Sequence, residues 1–175
     1  MKRILEAAVL CLAFYAPAPA LEITSVDPAT VKGVPKADFT FSAFTVKNIS
    51  FDNGAVVLPV TESKGKTFAD VKLLSKSLYG KLETCFKNGC AKPAKAPAAP
   101  KFKIEALKPL KSKTRVANAE LSFDGDLLVV AGVMVSSKEP GTFWVAFPSA
   151  LAFGDGAFKS AVESVVIAAW VKKNK

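Results

Sequence analysis

The chain has 175 residues, half of them hydrophobic, with 24 basic against 15 acidic side chains for a net charge of +9, and it contains no histidine. Without histidine, Ser149 has no base to activate it, and the chain also lacks a P-loop, a dinucleotide glycine fingerprint, a Gly-x-Ser-x-Gly turn and a Cys-x-x-Cys pair. These absences exclude the common hydrolytic, nucleotide-binding and thiol-redox chemistries, so the expectation is a protein that is not an enzyme and needs no cofactor or metal.

Residues 1–20 have the pattern of a secretory signal peptide: Lys2 and Arg3, a mostly apolar stretch from Ile4 to Tyr15, then Ala18-Pro19-Ala20 before Leu21. An N-terminal helix or strand of the fold is the competing reading, and Glu6 within the apolar stretch favours it. The stretch is short of the roughly 20 apolar residues a membrane span needs. Removing the segment takes away Lys2, Arg3 and Glu6 and leaves 155 residues with 22 basic and 14 acidic side chains, a net charge of +8. Export predicts a secreted or periplasmic protein; retention predicts a cytoplasmic one.

From Leu21 to about Cys90 the chain reads as one unit. Phe39, Phe41, Phe44 and Val46 alternate with polar or small residues, with a phase slip at Ser42-Ala43 that suggests a bulge. Ile49 and Phe51 resume the alternation, Asp52-Asn53-Gly54 signals a turn, and Ala55 to Leu58 forms the next strand before Pro59. Thr67 and Asp70 have the spacing of a capping box, and Val71, Leu74, Leu78, Leu82, Cys85 and Phe86 follow at helical intervals. Asn88-Gly89 is a helix stop, and Cys85 and Cys90 on either side of it are placed either to form a disulfide in an oxidising compartment or to remain reduced thiols.

Residues 91–101 carry three prolines among alanines and lysines, which predicts an extended linker. A second unit follows over residues 102–175, with strands predicted at Phe102 to Pro109, Val116 to Phe123, Leu127 to Val135 and Thr142 to Phe147. The nearly continuous apolar run from Leu127 to Val135 predicts a strand covered on both faces or placed where the two units meet, with Gly132 as a bulge or a close approach. Asp124-Gly125-Asp126 reads as a turn rather than a catalytic carboxylate pair. A last helix runs from about Ala157 to Lys173, with Ser160 and Glu163 as its capping box and Ala161, Val162, Val165, Val166, Ala169 and Trp170 on its buried side.

The two units repeat one order: strands, a strand ending at proline (Pro59, Pro148), a loop closed by phenylalanine (Phe68, Phe158) and a helix. In the second unit, Leu121 to Val130, the Gly141-Thr-Phe-Trp-Val-Ala-Phe-Pro-Ser149 segment and the Gly154-Asp-Gly-Ala-Phe158 loop resemble the SpoVG family of stage V sporulation proteins and septation regulators. The first unit resembles a more diverged member at Val57-Leu58-Pro59-Val60, Lys64-Gly-Lys-Thr-Phe68 and Asp70-Val71. The resemblance implies an α+β fold in which each repeat is an antiparallel sheet followed by one packed helix, with the repeats joined as a pseudo-dimer within one chain. It also implies nucleic acid as the partner in a septation or sporulation role. Where family members place basic residues after Pro-Ser, this chain has Ala150-Leu151.

Between Lys92 and Arg115 there are eight basic residues against Glu105 alone, so this segment holds +7 of the +8 charge. Either it is a solvated spacer, or it attracts polyanions through Lys101, Lys103, Lys108, Lys111, Lys113 and Arg115, with Lys64 and Lys66 adding to it from the first unit. Nucleic acid held weakly through phosphates is the first expected partner, and an anionic envelope polymer, or a protein bound at a sheet edge, is the partner expected of an exported protein.

Overall fold

The computed structural model describes residues 21–63, 65–91, 93–95 and 97–174; residues 1–20, expected to be a signal peptide, and Lys64 lie outside them. Four strands, β1 (Ser25–Val31), β2 (Val34–Phe41), β3 (Phe44–Asp52) and β4 (Ala55–Val57), form consecutive antiparallel pairs. Asn53 and Gly54 take positive φ of 49° and 79° in the β3–β4 turn, the geometry that matches the right-handed twist of a tight hairpin. Ser42-Ala43 is a chain reversal between β2 and β3 and not a bulge, because Phe41 and Phe44 oppose each other across it. The bulge lies further along, where Asn48 takes φ 59° and donates its N–H to Asp38 Oδ1 at 2.8 Å. In an alternating pattern, a slip of phase looks the same for a bulge and for a two-residue reversal.

The second set of strands is β8 (Phe102–Pro109), β9 (Arg115–Phe123), β10 (Leu127–Val135) and β11 (Phe143–Ala146), again paired in sequence. Between the two sets come β5 (Thr61–Ser63) and β6 (Lys66–Phe68), which pair with each other, then β7 (Val71–Leu73) and α1 (Lys76–Asn88). β12 (Leu151–Phe153) and α2 (Gly156–Lys173) complete the chain. The protein is thus mixed α+β, with antiparallel sheets and a C-terminal helix.

β7 joins the sheet of β8 to β11 by pairing with β10, and β12 joins the sheet of β1 to β4 by pairing with β3. Val71 lies opposite Val129 and Leu73 opposite Leu127; Leu151 lies opposite Val46 and Phe153 opposite Phe44. The flanking hydrogen bonds match as well: Leu74 N–H to Asp126 O at 2.7 Å and Gly154 N–H to Ala43 O at 3.0 Å. Each sheet is therefore finished by a strand from the other part of the sequence, and in β10 Leu127, Val129, Ala131 and Val133 are buried while Leu128, Val130 and Met134 are half-buried.

One core results. Phe44, fully buried, stacks its ring near those of Phe41, Phe123 and Phe153 and so touches both sheets. Burial of an aromatic of this size stabilises the fold by about 1.5–3 kcal/mol. Leu78 and Leu82 of α1 and Phe158, Val162, Val166 and Trp170 of α2 close the core, the latter four at strict four-residue spacing.

The helix starts differ from those expected. Thr67 lies in β6 and Val71 in β7, and α1 begins only at the true cap, Ser75, whose Oγ accepts the Leu78 N–H at 3.1 Å. Leu74 is exposed, because Val71 and Leu74 belong to a strand and its exit and match the helical period by coincidence. In α2 the cap is Asp155, accepting the Ala157 and Phe158 N–H groups at 2.8 and 3.1 Å; Ser160 is inside the helix and Glu163 faces Lys159. Ala161 and Val165 are exposed rather than buried. Phe68 is exposed in β6 whereas Phe158 is buried in α2, so Leu78, third after its cap as Phe158 is after its own, is the residue that occupies the matching place.

Candidate polyanion-binding surface

The basic segment becomes a hairpin. β8 and β9 are antiparallel and the loop between them, Leu110 to Thr114, carries Lys111 and Lys113 at its tip, braced by Ser112 Oγ accepting the Thr114 and Arg115 N–H groups. Lys101 lies at the opposite end of β8, about 25 Å from that tip for eight extended residues. Sequence proximity had gathered these lysines into one patch, but an extended strand separates them. Lys101 is held at its own end by the Asp124 turn, donating its N–H to Asp124 Oδ1 at 2.9 Å. Partial burial pushes the Asp124 carboxyl up, the Lys101 N–H opposes this, and the nearby Asp126 charge reinforces it.

Two of the remaining lysines are partnered along the strand. Lys103 pairs with Glu105 at 2.9 Å and Lys108 pairs with Glu120. Ser122 donates to Glu105 at 2.6 Å, and this bond together with Lys103 holds the Glu105 carboxyl below the usual carboxylate range. Lys66 lies on the separate β5–β6 ribbon. Lys111, Lys113 and Arg115 take part in no ion pair among the described residues, and neither does Lys101 at the far end of β8, so three of the unpaired cations of this segment cluster at the hairpin tip.

Arg115 is placed by Gly132. A Cβ at Gly132 would lie 2.7 Å from Arg115 Nε, so of the two readings of this glycine, a bulge or a close approach, the structure gives the close approach at Gly132 itself, its bare backbone being the floor under the guanidinium stem, and a register shift just after it, between Val133 and Met134. Arg115 Nε and Asn118 Oδ1 are buried and have no protein partner among the described residues, and Asn118 lies opposite Gly132 in the ladder. Arg115 is registered with Met134, and Met134 with Trp144 on β11, so a cationic, a thioether and an indole side chain form one row across three strands. Residues directly opposite in an antiparallel pair share a face. Trp144 is 49% exposed, in contrast to Trp170, which is 7% exposed in the core.

Two contributors were missed by the sequence. Lys173 donates its Nζ to Leu107 O at 2.7 Å, which brings the C-terminal turn of α2, with Lys172 and Lys173, beside β8. Nothing in the local pattern indicates a contact across 66 positions. Trp144 was readable only as a strand residue, since alternation alone does not say which face lacks a covering helix.

Away from this surface, Cys85 and Cys90 form a disulfide across Gly89 at the end of α1, an arrangement compatible with an oxidising compartment. No helix among the described residues is long and apolar enough to cross a membrane. The Asp124 and Asp126 carboxylates are used by the backbone, accepting from Lys101 and Leu21. No family model, curated protein or solved structure matches the chain.

Proposed function

We propose that the protein is a non-enzymatic SpoVG-like binding protein of the septation or sporulation type, built from two fused copies whose exchanged strands stand in for a dimer contact. In this reading it holds nucleic acid weakly, mostly through phosphates, at the β8–β9 end of the second copy. The duplication is supported by the equal registers in which β7 meets β10 and β12 meets β3. The observation that carries the binding reading is the juxtaposition of the Lys111–Lys113 tip, which makes no ion pair among the described residues, with a row in which half-buried Arg115 and Met134 lead to the exposed Trp144. Cations at the tip meet phosphates and release counterions, and an open indole offers a base a stacking surface without selecting its sequence. With Arg115 the single arginine after residue 20, bidentate reading of guanine is limited to one residue.

A single-stranded oligonucleotide titrated into the protein should quench the Trp144 emission, with affinity falling steeply as salt rises from about 50 to about 200 mM. Binding that is unchanged over that range would refute the phosphate reading. Replacing Trp144 by Ala should cost about 1–3 kcal/mol if a base stacks there.

The disulfide favours a second reading, an exported protein that reuses the same fold to hold an anionic envelope polymer. Poly(glycerol phosphate) has phosphates but no bases. Equal binding of that polymer without tryptophan quenching, by protein recovered outside the cytoplasm, would select the second reading over the first.

A further inference from the structure

Leu21 is fixed at three points: its side chain is 3% exposed in the core, its carbonyl accepts from Lys81 Nζ at 3.0 Å, and its backbone nitrogen donates to Asp126 Oδ2 at 2.7 Å. Asp126 is 6% exposed and, with Ser122, is one of two buried polar residues among those described. It has no ion pair among the described residues. A carboxylate taken out of water without a cation is unfavourable, and here a second carboxylate, Asp124, stands beside it. The Asp124 carboxylate is taken up by the Lys101 N–H, so the group that meets the buried Asp126 Oδ2 is the nitrogen of Leu21.

That nitrogen is the atom that cleavage after Ala18-Pro19-Ala20 would convert from an amide into an amine. We propose that the bond between residues 20 and 21 is a processing site and that its hydrolysis supplies the missing cation. An endoprotease of the signal-peptidase class would add water across the bond: hydroxide goes to the Ala20 carbonyl, a proton goes to the Leu21 nitrogen, and the amine takes a further proton at neutral pH. The resulting α-ammonium pairs with Asp126. This inference rests on the export reading for its cleavage step, and cleavage precedes folding, since the buried Leu21 of the folded protein is closed to a protease.

The pair would act as a lock between distant parts of the sequence. Asp126 lies in the β9–β10 turn, and its carbonyl accepts the Leu74 N–H between β7 and α1, while Lys81 belongs to α1 itself. The amide N–H on the Asp126 carboxylate is already a charge-assisted bond, and an ammonium in its place adds the attraction between two full charges. A chain with even one residue before Leu21 moves the charge by about 3.8 Å, one Cα step, away from Asp126.

Three proteins test this: one starting at Leu21, one starting at Ala20 and one with Gly-Ser placed before Leu21. The first should melt about 4 °C above the other two, as expected for a change of about 1 kcal/mol or slightly more in a chain of this size. The gap should close in Asp126→Asn; equal melting of all three with Asp126 present would overturn the lock. If the Asp126→Asn protein does not fold, the reactivity of the Leu21 α-amine decides. It should be acylated by acetic anhydride at least about tenfold more slowly in the native protein than in denaturant, as expected of a buried, bonded amine, and equal rates would overturn the proposal. The intact mass of protein expressed with its natural N-terminus tests the cleavage separately. A cytoplasmic species retaining residues 1–20 would sink the processing step and the export reading, even where the Leu21-start protein still shows the lock.

Discussion

The first and second sheets share a framework and differ at its ends. The β1–β2 hairpin turns on two residues, Lys32 and Gly33, whereas β8 and β9 are joined by a longer loop with Lys111 and Lys113 at its tip. α1 is closed by Gly89 and the Cys85–Cys90 disulfide, while α2 ends in Lys172 and Lys173, the second of which reaches β8. Strand pairing and core aromatics are held in common, while Lys111, Lys113, Lys172 and Lys173 gather loop-tip and helix-end charge on the second sheet. Function is therefore expected to follow the loops and helix ends rather than the framework that positions them.

The largest effect should come from attacking what the two sheets share. Phe44→Ala and Leu127→Ala remove equivalent buried residues beside the exchanged strands, and each should cost about 3–5 kcal/mol in urea unfolding. Because each sheet is completed by the other's strand, both variants should unfold in one transition by circular dichroism and by tryptophan fluorescence; two separate transitions would mean that the sheets fold independently. Next in size is the staple that only α1 possesses. Reducing Cys85–Cys90 should lower stability by about 2 kcal/mol for so short a loop, and Cys85→Ser should reproduce the loss without reductant.

Charge at the hairpins sharpens the contrast further. Lys111→Ala with Lys113→Ala should weaken oligonucleotide binding about tenfold and flatten its salt dependence by up to about two contacts, while Lys32→Ala with Lys36→Ala in the first sheet should change it less than about twofold. Equal losses from both pairs would show that attraction is set by net charge and not by the tip. The smallest expected effect is that of Gly132→Ala, whose new methyl would displace the flexible Arg115 side chain rather than backbone. Binding should fall about threefold with little change in melting temperature, comparable to loss of one phosphate contact.

The sequence was most informative where a local pattern has a single structural solution. Phe102–Pro109 and Leu127–Val135 were predicted with the bounds they have, because strong alternation or continuous apolar character between turn residues leaves little choice. Asn53-Gly54 and Asp124-Gly125 turn where they should, since both pairs take positive φ. The helix starts were less legible. Thr67 with Asp70 and Ser160 with Glu163 have capping-box spacing, yet Ser75 and Asp155 are the caps, because the preceding strands β7 and β12 must first pair in the opposite sheet.

By itself the sequence determined that this is a basic chain without histidine chemistry, made of antiparallel strands with two amphipathic helices, and that Gly132 marks a bulge or a close approach. Those properties depend on residue type and on spacings within a few positions. Tertiary structure alone decided that β7 and β12 change places between sheets, that Lys101 and Lys111 lie at opposite ends of one strand, that Lys173 joins β8, and that Leu21 meets Asp126 across 105 positions. Those contacts depend on which apolar faces share a core, and a local pattern records that a face is apolar without recording what covers it.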